Sequence, residues 1–126
     1  MEEKTKVSDR LKEWCQALKS ADPENILACY DVHASLLPTL SSRIRRTRPE
    51  LREYFEFLVQ LEPGCTVQDE HVRIYGDIAI NSGSYTFHVS KGGDRAAVPA
   101  RFTFVYRNTG DNWLIVEHHS SLFPDD

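Results

Sequence analysis

The sequence predicts an α+β fold in which N-terminal helices pack on a curved, mostly antiparallel sheet. Three observations carry this. Up to Leu61 the apolar residues recur at helical spacing. After Pro63-Gly64 they alternate in the strand period, and the alternating runs are joined by short, glycine-bearing turns. Helices first and strands later define the α+β class. At 126 residues the chain is expected to form a single domain, residues 1–126, around one core.

Each element has its own signal. Ser8 is a candidate cap for a first helix, with Leu11, Trp14, Cys15 and Leu18 following at helical spacing. Asp22-Pro23-Glu24 reads as a cap with proline at the first helical position, opening a short helix through Ile26, Leu27 and Tyr30. Ala34 to Thr39 is a short extended segment broken by Pro38. Thr47-Arg48-Pro49-Glu50 is a capping box, and the helix behind it places Leu51, Tyr54, Phe55, Leu58 and Leu61 on one face. The strands follow: Thr66 to Tyr75, Ile78 to Val89, Val98 to Arg107 and Trp113 to Ser121. Gly83 lies in mid-strand, where glycine marks a bulge or bend; a sheet bent there can curl around the helices as a cone with a cavity inside.

Composition excludes several classes. The net charge of −4 argues against nucleic acid as a general partner, and no apolar run reaches membrane-span length. The start, Met1-Glu2-Glu3-Lys4, lacks the apolar stretch of a signal peptide. The cytosol is therefore the expected compartment, or an organelle reached by a targeting peptide since removed. Cys15, Cys29 and Cys65 are odd in number and have no CxxC spacing, so small buried thiols are expected rather than a disulfide or a cysteine metal site. Arg43, Arg45, Arg46 and Arg48 read as a solvated basic loop, with anion steering as the sharper alternative; Arg101 is expected to pair with Glu117 across the sheet.

The chemistry concentrates at the end of the last strand, Trp113-Leu114-Ile115-Val116-Glu117-His118-His119-Ser120-Ser121. Side chains alternate across a strand, so His118 and Ser120 share one face and His119 and Ser121 the other. The sequence leaves open which pair faces a pocket. No HxH or HExxH spacing occurs among the five histidines, so no metal site is expected.

Several blocks resemble the iota-class carbonic anhydrases: Leu36-Leu37-Pro38-Thr39, Arg52-Glu53-Tyr54-Phe55, Gly76 to Gly83, Pro99 to Tyr106 and the His-His-Ser-Ser ending. That family has the NTF2-like (cystatin-like) fold and is related to the association domain of calcium/calmodulin-dependent kinase II. The resemblance spans about Leu11 to Pro124. It implies interconversion of carbon dioxide and bicarbonate as small-molecule substrates. Some members are described as metal-free, and others, mostly algal, are linked to manganese. Carried over by motif, the metal-free hydroxyl set falls on Thr39, Tyr54 and a serine of the Ser120-Ser121 pair. No cofactor is then needed, and by resemblance to NTF2-like cones, which pair through the outer sheet face, a homodimer is expected.

The chemistry of the reaction adds further candidates. Neutral hydroxyls both donate and accept, so a Thr, Tyr and Ser set can hold the attacking water and the product oxygens. A proton must leave, which makes His119 or His118 the candidate acceptor. Phe102, Phe104 and Tyr106 alternate on one strand face and would supply apolar walls for carbon dioxide. Against this stand two other readings: an isomerase or dehydratase using Asp31, Asp69 or Glu117 as base, and a non-catalytic association module.

Overall fold

The computed structural model describes residues 2–125. Helix α1 spans Glu2–Ser20 and buries Val7, Leu11, Trp14, Ala17 and Leu18, the i, i+3/i+4 stripe of an amphipathic helix. It begins six residues before the expected cap. Ser8 lies within it and donates to Glu70, so its hydroxyl joins helix to sheet rather than starting the helix. Helix α2, Pro23–Leu27, is capped by the Asp22 carboxylate accepting from the Glu24 N–H, as expected, but stops at Leu27. Tyr30, expected in that helix, instead opens strand β1, Tyr30–Leu37. Helix α3, Arg48–Leu58, carries the predicted capping box in full and passes into a 3₁₀ turn at Val59–Leu61.

The remaining strands are β2 (Gly64–Tyr75), β3 (Ile78–Lys91), β4 (Asp94–Asn108) and β5 (Trp113–Leu122). The sheet order is β1-β5-β4-β3-β2. Strands β2 to β5 form the expected antiparallel meander; β1 joins its edge parallel to β5. The bend lies where Gly83 marked it. A Cβ at Gly83 would sit 2.0 Å from the Asp69 carbonyl oxygen, and β2 shifts register between Val67 and Asp69, next to Glu70, the partner of Gly83. Only glycine lets the two backbones approach this closely.

The concave face of the sheet holds Tyr85, Phe87, Ala100, Phe102, Phe104, Tyr106, Ile115 and His118 against the buried stripes of α1 and α3. Two expectations fail here. Cys15 and Cys65 are joined by a disulfide linking α1 to the start of β2, because packing of the helix onto that strand brings together cysteines 50 residues apart; Cys29 alone is a free thiol, which burial raises to about 11. Arg101 pairs in register with Ser121 and lies over the Phe123 ring, while Glu117 sits opposite Val105.

Candidate functional site

Residues after β1 turn back across the mouth of the cone. The turn is closed by paired backbone hydrogen bonds between Leu36 and Arg45, at 2.8 and 2.9 Å. This places Pro38 and Thr39 over the end of β5. Arg45, expected in a solvated cluster, is buried. Its guanidinium donates to the Glu50 carbonyl, the Glu53 carboxylate and the Ser41 hydroxyl, and lies 5.3 Å from the Tyr54 ring centroid. It ties the turn to α3 and holds Tyr54 from outside. Arg48 donates to the Tyr30 carbonyl at 3.0 Å, and Arg43 pairs with Glu50 and Glu53, so most of the cluster is structural.

Beneath this turn is a chamber of about 10 Å³, lined by Trp14, Leu36, Pro38, Thr39, Tyr54, Phe55, Leu58, Phe87 and His118. That is room for about one water molecule. On the other side of Thr39 runs an open groove of about 380 Å³, lined by Leu37 to Thr39, Ser41 to Ile44 and His119 to Leu122. Thr39 and Pro38 form the wall shared by chamber and groove. A larger depression, about 700 Å³, lies elsewhere, between the end of α1 and strands β2 and β3. It is open to solvent and contains none of the connected hydroxyls described next.

Register decides which pair of the strand ending looks inward. His118 pairs with Phe104 and Ser120 with Phe102, both on the concave face, so His118 and Ser120 are buried. His119 and Ser121, also expected at the site, face outward; His119 is exposed and Ser121 partly so, and both line the groove. Thr39, Tyr54 and His118 border the chamber, and Ser120 joins them through a short hydrogen bond to Thr39. Phe102, Phe104 and Tyr106 point inward as expected but do not line the chamber. Phe104 stacks on the His118 ring with centroids 3.9 Å apart, Phe102 packs on Tyr85, and Tyr106 is buried with its hydroxyl unpartnered. They brace the site; the apolar walls come from Leu36, Pro38, Phe55, Leu58 and Phe87 instead.

Sequence reasoning missed the parts played by Trp14, which lines the chamber, and by Tyr30 and Tyr85 behind it. The Trp14 indole N–H donates to the Tyr30 hydroxyl at 3.0 Å, and the Tyr30 hydroxyl meets His118 Nδ1 at 2.8 Å. His118 Nε2 meets the Tyr85 hydroxyl at 3.0 Å, and Tyr85 donates to Ser120 Oγ at 2.8 Å. A single hydrogen-bonded line therefore runs Trp14–Tyr30–His118–Tyr85–Ser120–Thr39. In sequence Trp14 is one residue of the first helix's apolar spacing and Tyr85 one position of the strand Ile78 to Val89; polar atoms at inward positions of apolar segments are the available signal.

Burial controls the electrostatics. It drives the His118 imidazolium down to about 3, with a small push from His119, so the ring is neutral. Burial raises Tyr54 to about 12, opposed by Arg45 and by the Leu40 backbone, and lifts Tyr85 and Tyr30 well above the ordinary tyrosine value. The site is therefore uncharged and built from hydroxyl donors. Among the described residues, no carboxylate lines the chamber. Of the candidate bases, Asp69 and Glu117 are exposed, and Asp31 is held ionised by the Arg107 guanidinium at 2.9 Å. Nor do three His, Cys, Asp or Glu side chains converge among the described residues. Both nitrogens of His118 already face tyrosine hydroxyls, so this donor set does not suit a metal ion.

Five strands curled over N-terminal helices around this chamber define an NTF2-like protein. The association-domain family of calcium/calmodulin dependent protein kinase II matches residues 3–124, and the chain belongs to that family. A candidate association domain of this kind from Xanthomonas campestris is 34% identical, with a TM-score of 0.90 over 95% of this chain and 87% of that one. A candidate dehydratase of the NTF2-like family from Streptomyces avermitilis shares the fold at 19% identity, with a TM-score of 0.87 over 98% and 97% of the two chains. So does the CamKII hub homology domain of Chlamydomonas reinhardtii, at 19% identity and a TM-score of 0.76, covering 95% and 98%. No curated protein matches the chain. Among the described residues no helix is long and apolar enough to cross a membrane.

Proposed function

We propose that this protein interconverts carbon dioxide and bicarbonate without a metal, at the hydroxyls that border the buried chamber. The observation that carries the reading is the chamber itself: it has room for about one water, apolar walls, and neutral donors from Thr39 and Tyr54. A small linear molecule slightly longer than water suits such a space. An aryl- or steroid-sized substrate does not. The resemblance to iota-class carbonic anhydrases points to the same residues.

In this reading carbon dioxide displaces the water of the chamber, and a water entering from the groove beside Thr39 and Ser120 attacks its carbon. A new C–O bond forms, one C=O π pair moves onto oxygen, and the attacking water gives up a proton. Thr39 and Tyr54 donate to the oxygen that gains charge, an arrangement worth far more in a dry site than in water. His118 is too weak a base to take the proton near neutral pH, because it is buried. The proton leaves by the groove, where His119 is the exposed imidazole. Leu36, Phe55, Leu58 and Phe87 exclude other water from the carbon.

The isomerase or dehydratase reading lacks a carboxylate base at the chamber. Self-association has its own support in the association-domain family and the hub-domain neighbour, and we infer a homodimer. Assembly and catalysis are compatible. Stopped-flow hydration of carbon dioxide on chelator-treated protein tests the reading. Activity that survives chelation supports it. Activity lost on stripping and restored by zinc or manganese would replace the mechanism, and no activity in either state would leave the association reading.

A further inference from the structure

The line of hydrogen bonds behind the chamber has a direction, and its donors set it. An indole nitrogen can only donate, so Trp14 fixes the first bond, and the Tyr30 hydroxyl accepts it. The other partner of Tyr30 is His118 Nδ1. If Nδ1 carried the proton, the Tyr30 oxygen would receive two donors and its own buried hydrogen would have no acceptor. Tyr30 therefore donates to Nδ1. A neutral imidazole then carries its proton on Nε2, which donates to Tyr85. Tyr85 passes its own proton to Ser120. Ser120 must then donate to Thr39, its remaining partner. The Thr39 hydrogen then has no acceptor left in the line and is free for the spaces that Thr39 borders, of which the chamber is the more enclosed.

We propose that Trp14, Tyr30 and Tyr85 are positioning residues, whose ordered donors hold His118 as the Nε2–H tautomer and thereby aim the Thr39 hydroxyl proton into the chamber. This rests on the chamber being the reaction site. The aromatic packing keeps the order rigid. Phe104 stacks on His118 at 18° between planes, Trp14 meets the same ring edge-on at 5.2 Å, and Tyr85 stacks on Trp14 at 5.8 Å. Reversing the line would make Thr39 donate to Ser120 and leave the chamber without that donor. Tyr30 and Tyr85 stand behind the lining, so their effect must travel through His118 and Ser120.

Long-range proton–nitrogen NMR on ¹⁵N-labelled protein reads the tautomer directly, with His118→Gln identifying the signals. We expect Nε2 protonated and Nδ1 bare from pH 5 to 8. A protonated Nδ1, or a doubly protonated ring, overturns the proposal. Tyr85→Phe removes the donor to Ser120, frees the Ser120–Thr39 bond to reverse and should lower kcat about tenfold, with KM little changed, since an aimed donor acts mainly on the transition state. An unchanged kcat in the folded variant overturns the proposal. Should Tyr85→Phe fail to fold, the tautomer of the wild-type ring decides the matter. Failure of the two readings is separable. Wild-type protein with the Nε2–H spectrum but no hydration overturns the reaction and leaves the proton order standing, whereas hydration with an Nδ1–H spectrum does the reverse.

Discussion

Two histidines and two serines stand side by side at the end of β5, and one peptide step separates entirely different chemistry. His118 and Ser120 face the cone; His119 and Ser121 face the groove outside. His118 is ringed by Trp14, Tyr30, Phe104 and the Tyr85 hydroxyl, and burial holds it neutral. His119 is exposed. Ser120 is a link in a directed line of hydroxyls, while Ser121 sits beside Arg101 in the outer register. Residue type therefore says little here; the face of the strand says nearly everything.

The sharpest way to break this contrast is at the residue that borders both spaces. Thr39→Ala should lower carbon dioxide hydration by roughly 10²-fold or more, as loss of an oxyanion-type donor does, with the fold unchanged by circular dichroism. A loss of less than about threefold would remove Thr39 from the chemistry.

The next effect is on stability against pH. His118 is held near 3 in the folded chain against an ordinary 6.5. Between those values the unfolded chain binds a proton that the folded chain refuses, so stability falls as pH drops through that window. The slope approaches about 1.4 kcal/mol per pH unit where the difference is complete. Denaturant melts from pH 7 to 4 should show it, His119→Gln should keep it, and His118→Phe should flatten it. Equal flattening by both variants would show that the two histidines are not distinguished by face.

The curvature that creates an inside can be tested at Gly83. Alanine there drives a Cβ into the Asp69 carbonyl, and should cost about 1–3 kcal/mol in urea unfolding by overpacking. The smallest effect is expected outside. His119→Ala should reduce turnover only about two- to tenfold, and exogenous imidazole should restore it, because a proton carrier in solvent is replaceable. Failure of imidazole to rescue would remove His119 from proton transfer.

Much of this was legible in the sequence because it is local. The capping box at Thr47–Glu50, the Asp22 cap, the glycine turns and the alternation of β3 to β5 are all decided by neighbours within four residues. Gly83 was legible as a bend for the same reason, although the bulge it accommodates lies in the partner strand. What escaped was set by contacts across the fold. Nothing in the spacing of Cys15 and Cys65 announces their meeting, since it depends on how α1 lies on β2. Nothing in the His118-His119 pair says which ring is inside, since that depends on pairing with Phe104. The hydroxyls of Tyr30 and Tyr85 were hidden because a buried tyrosine ring satisfies the hydrophobic pattern whether or not its oxygen is used. The basic cluster misled in the opposite direction: Arg45 looks solvated in sequence and is buried because the Leu36 bridge pulls it under the turn.

The most direct test of the account compares the two serines. Ser120→Ala and Ser121→Ala remove the same atom from adjacent residues, and stopped-flow hydration by chelator-treated protein reads both. The account predicts a loss of roughly 10²-fold for Ser120→Ala and less than about twofold for Ser121→Ala, because only the first interrupts the line to Thr39. Equal losses in the two variants, or a larger loss at Ser121, would contradict it.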